Sequence, residues 1–367
     1  MRKKKIRKET GNFNLNILAM DIGASTQKIL LYDDSYASSY RIVMPSPSTI
    51  LSRRIRQCTS EKREIVLLGD TMGGGAIEDA LLSHMHAGYK VNATECSTMT
   101  FMQGTAGSTY KKINIIRIEE GMAICTERNA QGLLTRDVDR DGLSMTFSMY
   151  NLTLDPETIA VAVKDSGMRR NDELWISPRA EFFRKSLPAG IRKLAFETPP
   201  EYFPRMEGVK RTLIRDFPDS AHLIMDTKAA AVFGCLRAAN TDSGIFVESG
   251  SMNTVVASVE NSEITGIIEM KTENLSPKLL EEIILAIREG TLDKCGLAVN
   301  DAVTTGVVTS PYTERDIYIC GSLCGSVYEK LKKSANRLDY HINTVPPVEG
   351  VDLFGTVGLV EAAKSIG

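Results

Sequence analysis

No apolar stretch in the 367 residues approaches the ~20 that a membrane-spanning helix requires; the longest candidates are interrupted by charge or glycine. An excess of one charge is also lacking. The 44 Lys and Arg against 46 Asp and Glu leave a net charge of −2, so no global field favours nucleic acid or an anionic membrane as partner. The seven cysteines are odd in number and irregular in spacing, which points to reduced thiols in a cytoplasmic setting. Cys320 and Cys324 are four apart, but no third cysteine follows to complete a three-thiolate iron–sulfur motif. The triplet Gly73-Gly74-Gly75 lacks the Gly-Lys-Ser/Thr ending of a P-loop, so it reads either as a ligand loop or as a tight strand-to-helix turn. Asp137, Asp139 and Asp141 alternate as in a calcium loop, yet position 148 is serine rather than the required glutamate, and a polar loop is expected. The basic stretch Arg2 to Lys8 is followed by Asn12, Asn14 and Asn16 instead of a secretory apolar core, so residues 1–14 read as a solvated tail.

What is present is a short pattern that occurs twice. Ile17-Leu18-Ala19-Met20 runs into Asp21-Ile22-Gly23-Ala24-Ser25-Thr26 and then Ile29-Leu30-Leu31-Tyr32. Gly244-Ile245-Phe246-Val247 runs into Glu248-Ser249-Gly250-Ser251-Met252-Asn253 and then Thr254 to Val259. Each reads as strand, acid, glycine turn, strand. A glycine two places after the acid predicts a turn with backbone angles that a Cβ forbids, and one whose N–H groups approach a ligand closely. Two such hairpins facing each other would cradle a polyphosphate while the carboxylates hold a cation.

Both hairpins, in this order, resemble the two phosphate loops of the acetate and sugar kinase, Hsp70 and actin (ASKHA) superfamily. Three further segments match that resemblance. Met225-Asp226-Thr227-Lys228-Ala229-Ala230-Ala231 resembles the first inter-domain helix, Ile317 to Gly325 the adenosine loop, and Phe354 to Ala363 the second inter-domain helix. Together with Gly69 to Gly75 and Ala160 to Gly167, the pattern is closest to an archaeal and bacterial DUF1786-like family labelled a pyruvate formate-lyase activating enzyme. That label sits badly with the chemistry, since a radical activating enzyme needs three clustered thiolates. The resemblance implies an α/β fold of duplicated ribonuclease H-like (actin-like ATPase) domains with a nucleotide cleft between them. The first domain would span 15–225, with family-specific insertions, and the second 226–367, with a final helix over 352–365 packing back between them.

The resemblance also implies ATP and Mg²⁺ as ligands. Gly23, Ala24, Ser25, Thr26, Gly250, Ser251, Asn253 and Thr254 would donate to phosphate, and Lys28 either joins them or points to solvent. Gly321, Ser322 and Gly325 would hold adenosine. Asp21 and Glu248 would hold Mg²⁺ through water. Asp165, just past a strand buried on both faces (Thr158 to Val163), and Asp226 are the candidates for orienting or deprotonating the nucleophile, with Asp165 the favoured base because its strand should lie in the first-domain sheet, although an N-cap role alone would explain Asp226. The implied activity is phosphoryl transfer from ATP to a small molecule. Alternatives are an ATPase switch or activase acting on a protein partner, with a cluster on Cys96, Cys125, Cys320 and Cys324, or a nucleotide-binding module without turnover. A homodimer stays open. Elsewhere, 113–118 and 122–126 alternate as paired strands, Pro277 to Glu289 is an amphipathic helix, and 171–205, with Trp175 and several prolines, is the candidate insertion covering the cleft.

Overall fold

The computed structural model describes residues 16–33, 39–101, 112–127, 130–168, 177–291, 303–347 and 352–366. The basic tail and Trp175 lie outside them. The chain opens as a meander, β1 (Asn16–Ile22), β2 (Thr26–Asp33) and β3 (Tyr40–Pro45). A separate unit follows with β4 (Ile65–Gly69), β5 (Val91–Ala93), β6 (Asn114–Ile115) and β7 (Gln131–Thr135). The first sheet is then resumed by β8 (Thr158–Val163), β9 (Ala195–Phe196) and β10 (Ala221–Asp226). The second half supplies β11 (Gly244–Ser249), β12 (Asn253–Glu260), β13 (Glu263–Lys271), β14 (Val303–Val308), β15 (Asp316–Cys320) and β16 (His341–Thr344).

These strands form three sheets, ordered β3-β2-β1-β8-β10-β9, β14-β13-β12-β11-β15-β16 and β6-β5-β4-β7. The first two repeat one topology. In each, a three-stranded antiparallel meander (β1-β2-β3; β11-β12-β13) is extended beside its first strand by two parallel strands (β8 and β10; β15 and β16). The fold is therefore a duplicated ribonuclease H-like, actin-like ATPase fold. The third sheet is parallel throughout and sits between β3 and β8 as an α/β insertion of the first lobe. Parallel strands present ligand edges at their C-terminal ends, and the loops after β4 and β5 reach the cleft described below.

Helices Thr227–Ala239 and Phe354–Ile366 cross between the lobes. Their contact is backbone on backbone. A Cβ added at Gly234 would fall onto the Phe354 carbonyl, and one at Gly358 onto the Ala230 carbonyl. Around them lies an apolar core shared by both main sheets, including Ala19, Ala160, Phe246, Ala257, Leu359 and Ala362. Gly234→Ala is expected to force these helices apart and lower unfolding free energy by roughly 1–3 kcal/mol, read as a lower urea midpoint at unchanged slope. An unchanged midpoint would show that the helix pair yields without loss.

Three expectations are corrected. Ile118–Glu127 is a helix, not a strand. Met122-Ala123-Ile124 breaks the alternation, and Glu119 and Glu120 fall in the first turn, where the helix dipole favours acids. Cys235 and Cys320 are joined by a disulfide where the first crossing helix meets β15, so the reading of reduced thiols fails for this pair. The described part of 171–205 is a strap rather than a cover. Ala189 bridges to Ile264 of β13, and β9 pairs with β10, so one segment is hydrogen-bonded to both main sheets. No helix among the described residues is long and apolar enough to cross a membrane.

Candidate active site between the lobes

The two hairpins face one cavity of about 510 Å³. In the first lobe the Gly23 N–H donates to the Thr26 carbonyl (3.0 Å); in the second the Gly250 N–H donates to the Asn253 carbonyl (3.2 Å). Neither glycine has positive φ, so the conformational reason expected for them is not the operative one. At Gly23 space is tight, since a Cβ there would lie 3.0 Å from the Thr26 carbonyl oxygen. At Gly250 the nearest atom would be at an ordinary 3.4 Å.

Asp21, Gly23, Ala24, Ser25, Thr26 and Lys28 line the cavity from the first lobe, and Glu248, Gly250, Ser251, Asn253 and Ser322 from the second. Five assigned residues fall outside its lining. Thr254 is buried, its hydroxyl between those of Ser249 (2.9 Å) and Thr272 (3.0 Å). Gly321 packs against the Ser249 backbone with φ of +93°, and Gly325 lies in the helix that follows. Asp165 is turned away. Its Oδ1 accepts from the Gly167 N–H (2.8 Å), and its Oδ2 accepts from the N–H groups of Arg205 (2.7 Å) and Met206 (3.0 Å) at the start of helix Pro204–Asp216. Burial raises the Asp165 pKa despite these three donors. Asp226, the fifth residue outside the lining, caps helix Thr227–Ala239 and is held by the Arg179 guanidinium through both oxygens (2.6 and 2.8 Å).

Asp21 sits at the cavity floor, accepting from the Thr227 hydroxyl at 2.6 Å. Gly355 backs it so closely that a Cβ there would overlap its Oδ2. Burial pushes the Asp21 carboxyl above its usual range, with Lys28 opposing. Glu248 is paired with Lys228 (2.6 Å), whose ammonium also donates to the Asn253 carbonyl. Lys28 is paired with Asp352 at 3.0 Å, while Asp352 Oδ1 is buried without a donor.

Sequence reasoning missed a buried charge network beneath the phosphate loops. Arg179, from the strap, donates to Asp226 at the end of β10, to Glu269 on β13 (2.5 Å) and to Thr305 on β14 (2.8 Å). The other oxygen of Glu269 accepts from Lys164 Nζ at 3.0 Å. Burial alone would raise the Glu269 pKa, but Arg179 and Lys164 hold it down to about 2. For Lys164 burial prevails over Glu269 and lowers its pKa. Glu269 could have been found as a lone acid inside the apolar strand Ile264 to Met270, because buried charges are paired. Arg179 carries no such signal.

Gly73, Gly74 and Gly75 line the cavity with Ser48, Thr100 and Phe101, so the glycine triplet is both a strand-to-helix turn and part of the cleft wall. Gly73 also packs on Arg205, which is held in a fork by Asp137 (2.8 and 2.9 Å). Asp139 caps helix Arg140–Ser148, so these two acids of the alternating run have structural partners. Of the cysteines named for a shared cluster, Cys320 is in the disulfide, Cys96 is exposed, and Cys125 and Cys324 are half-buried. Among the described residues no three His, Cys, Asp or Glu converge as a metal cage.

Two ribonuclease H-like lobes meeting at a cavity lined by Asp21 and Glu248 define a member of the actin-like ATPase fold. A family model described as "Putative pyruvate format-lyase activating enzyme (DUF1786)" matches residues 72–300, more than half of the chain, and the chain belongs to that family. No curated protein matches it in sequence. Solved structures with a similar arrangement include the activator of the 2-hydroxyisocaproyl-CoA dehydratase from Clostridium difficile with bound ADPNP (8% identity, 96% of this chain, 97% of that one, TM-score 0.36). The inorganic polyphosphate/ATP-glucomannokinase from Arthrobacter sp. strain KM is another (9% identity, 96% and 100% covered, TM-score 0.36). So is the ethanolamine utilization protein EutJ from Carboxydothermus hydrogenoformans (11% identity, 94% and 89% covered, TM-score 0.34).

Proposed function

We propose that the cleft binds ATP with Mg²⁺ and that the protein transfers the terminal phosphoryl group to a small molecule. The observation that carries this reading is the pair of hairpins, each an acid followed by a closed glycine turn, addressing one cavity from two lobes. Turn N–H groups, the hydroxyls of Ser25, Thr26 and Ser251, and the Asn253 amide suit phosphate oxygens. Ser322, beyond β15, suits the nucleoside.

The residues fit a divalent cation. Asp21 is an acid in the cavity wall, and Asp352 keeps a buried oxygen without a donor beside Lys28. Mg²⁺ takes one or two protein carboxylates together with water and phosphate, so a full cage is unnecessary. When bound it neutralises charge on the phosphates. Asp21 would hold it, with Glu248 acting through water. Asp165 and Asp226 act in this reading as positioning groups. Asp165 fixes the start of helix Pro204–Asp216, and Asp226 fixes the first crossing helix and Arg179. The acceptor side is the insertion's edge, where Gly73 to Gly75, Ser48 and Thr100 offer hydrogen-bonding groups to a small polar substrate.

Calorimetric titration of the wild type with ATP in the presence and absence of Mg²⁺ tests the reading. Magnesium-dependent binding is the expected result, and a folded protein that binds no nucleotide would overturn it.

A further inference from the structure

Lysines 28, 164 and 228 all reach the cavity, and each has a carboxylate partner. The partners differ in what would remain if the lysine turned to a ligand. Lys28 would leave Asp352, whose other oxygen already has no donor. Lys228 would leave Glu248 in the wall, 5% exposed. Lys164 would leave Glu269 still bonded to Arg179, which is itself anchored on Asp226. Glu269 thus has a second cation, and Lys164 is the lysine that can exchange its partner for an anion without stranding a buried charge.

Its place in the fold says which anion. Val163 is in register with Ile22, so Lys164 lies beside Gly23 of the first loop. Glu269 is paired across from Val255 on the strand that leaves the second loop. The Lys164 ammonium therefore spans the gap between the two phosphate loops. In the second sheet β13 and β15 flank the β11–β12 hairpin from opposite sides, so Glu269 lies away from Ser322, which follows β15. With the nucleoside at Ser322, the end of the polyphosphate reaches Lys164.

We propose that Lys164 binds the terminal phosphate of the nucleotide and that Arg179 is the positioning residue that releases it from Glu269. This rests on the nucleotide reading above. Because Glu269 belongs to the second lobe and Lys164 to the first, the exchange also links phosphate recognition to the apposition of the lobes.

The test is the affinity of ATP and of ADP, each with Mg²⁺, for the wild type and for Lys164→Met. Glu269 keeps Arg179 in the variant, so the fold is retained. ATP binding should weaken about tenfold or more, the worth of one charge-assisted hydrogen bond, while ADP binding changes less than about twofold. Lys164→Gln, which keeps a donor for Glu269, should show the same ATP-selective loss. Equal losses for the two nucleotides, or no loss for either, would overturn the assignment while leaving nucleotide binding intact. A wild type that binds neither nucleotide would overturn both readings.

Discussion

Replacing Arg179 by Met is expected to lower unfolding free energy by about 3–5 kcal/mol, more than any other single change considered for this fold. Arg179 is 2% exposed, and its guanidinium forms ion pairs with two carboxylates of residues that are themselves buried, Asp226 at 4% and Glu269 at 0%. Without it, Asp226 retains only helix N–H groups and Glu269 depends chiefly on Lys164. Arg179→Lys should recover little, because one ammonium cannot reproduce a fork on Asp226 together with bonds to Glu269 and Thr305. Combining Arg179→Met with Glu269→Gln should be less harmful than the single change, since one stranded charge is removed. Urea unfolding of the three variants measures this. A loss below about 1 kcal/mol for Arg179→Met would show that the crossing helices and the strap hold the lobes without the ion network.

The same network sets an acid limit. Glu269 is held near pH 2 in the folded protein against an ordinary 4.5. A carboxyl with a depressed folded pKa contributes stability that is complete above its unfolded value and lost as pH falls toward the folded one. Wild-type stability should therefore decline between about pH 4.5 and 2, and the contribution of this residue is on the order of 3 kcal/mol. In Arg179→Met the decline across that window should be shallower, because less of the contribution exists to be lost. Parallel acid titrations of unfolding would show the difference, and coincident slopes would mean that other carboxyls dominate.

The sequence was most legible where local pattern and tertiary role coincide. The strand Thr158–Val163 and the helix Pro277–Glu289 have the bounds that their apolar runs and flanking residues predict. The duplicated hairpins were readable because a strand, an acid and a glycine turn recur together, and both open onto the cavity. Side-chain direction was not readable at the end of β8. Lys164 and Asp165 are adjacent, and the sequence favours Asp165 for chemistry, yet the chain turns its carboxylate onto a helix start and leaves Lys164 at the cleft. Arg179 illustrates a second limit. Its helix has an ordinary Ser-Pro start, and its partners are 47, 90 and 126 residues away. Nothing local distinguishes an arginine that is buried by such distant contacts from a solvated one. The disulfide is a third case, since Cys235 and Cys320 are 85 residues apart and meet only because a crossing helix lies on β15.

Asp21→Asn should separate the scaffold from the site. The amide has nearly the shape of the carboxylate and still accepts from Thr227, so the contact at 2.6 Å survives. It removes a charge whose burial already disfavours the ionised form. Stability without ligand should therefore be unchanged or slightly higher, a trade expected where a residue is retained for binding at a cost to the fold. The loss should appear in magnesium-dependent ATP affinity, by roughly 10- to 100-fold, with little change in whatever binding persists when Mg²⁺ is chelated. Glu248→Gln offers the contrast. It strands the buried Lys228 ammonium, so its loss of stability should accompany any loss of binding. Asp21→Asn with wild-type magnesium dependence would remove Asp21 from the cation site and leave the orphaned oxygen of Asp352 as the carboxylate to test next.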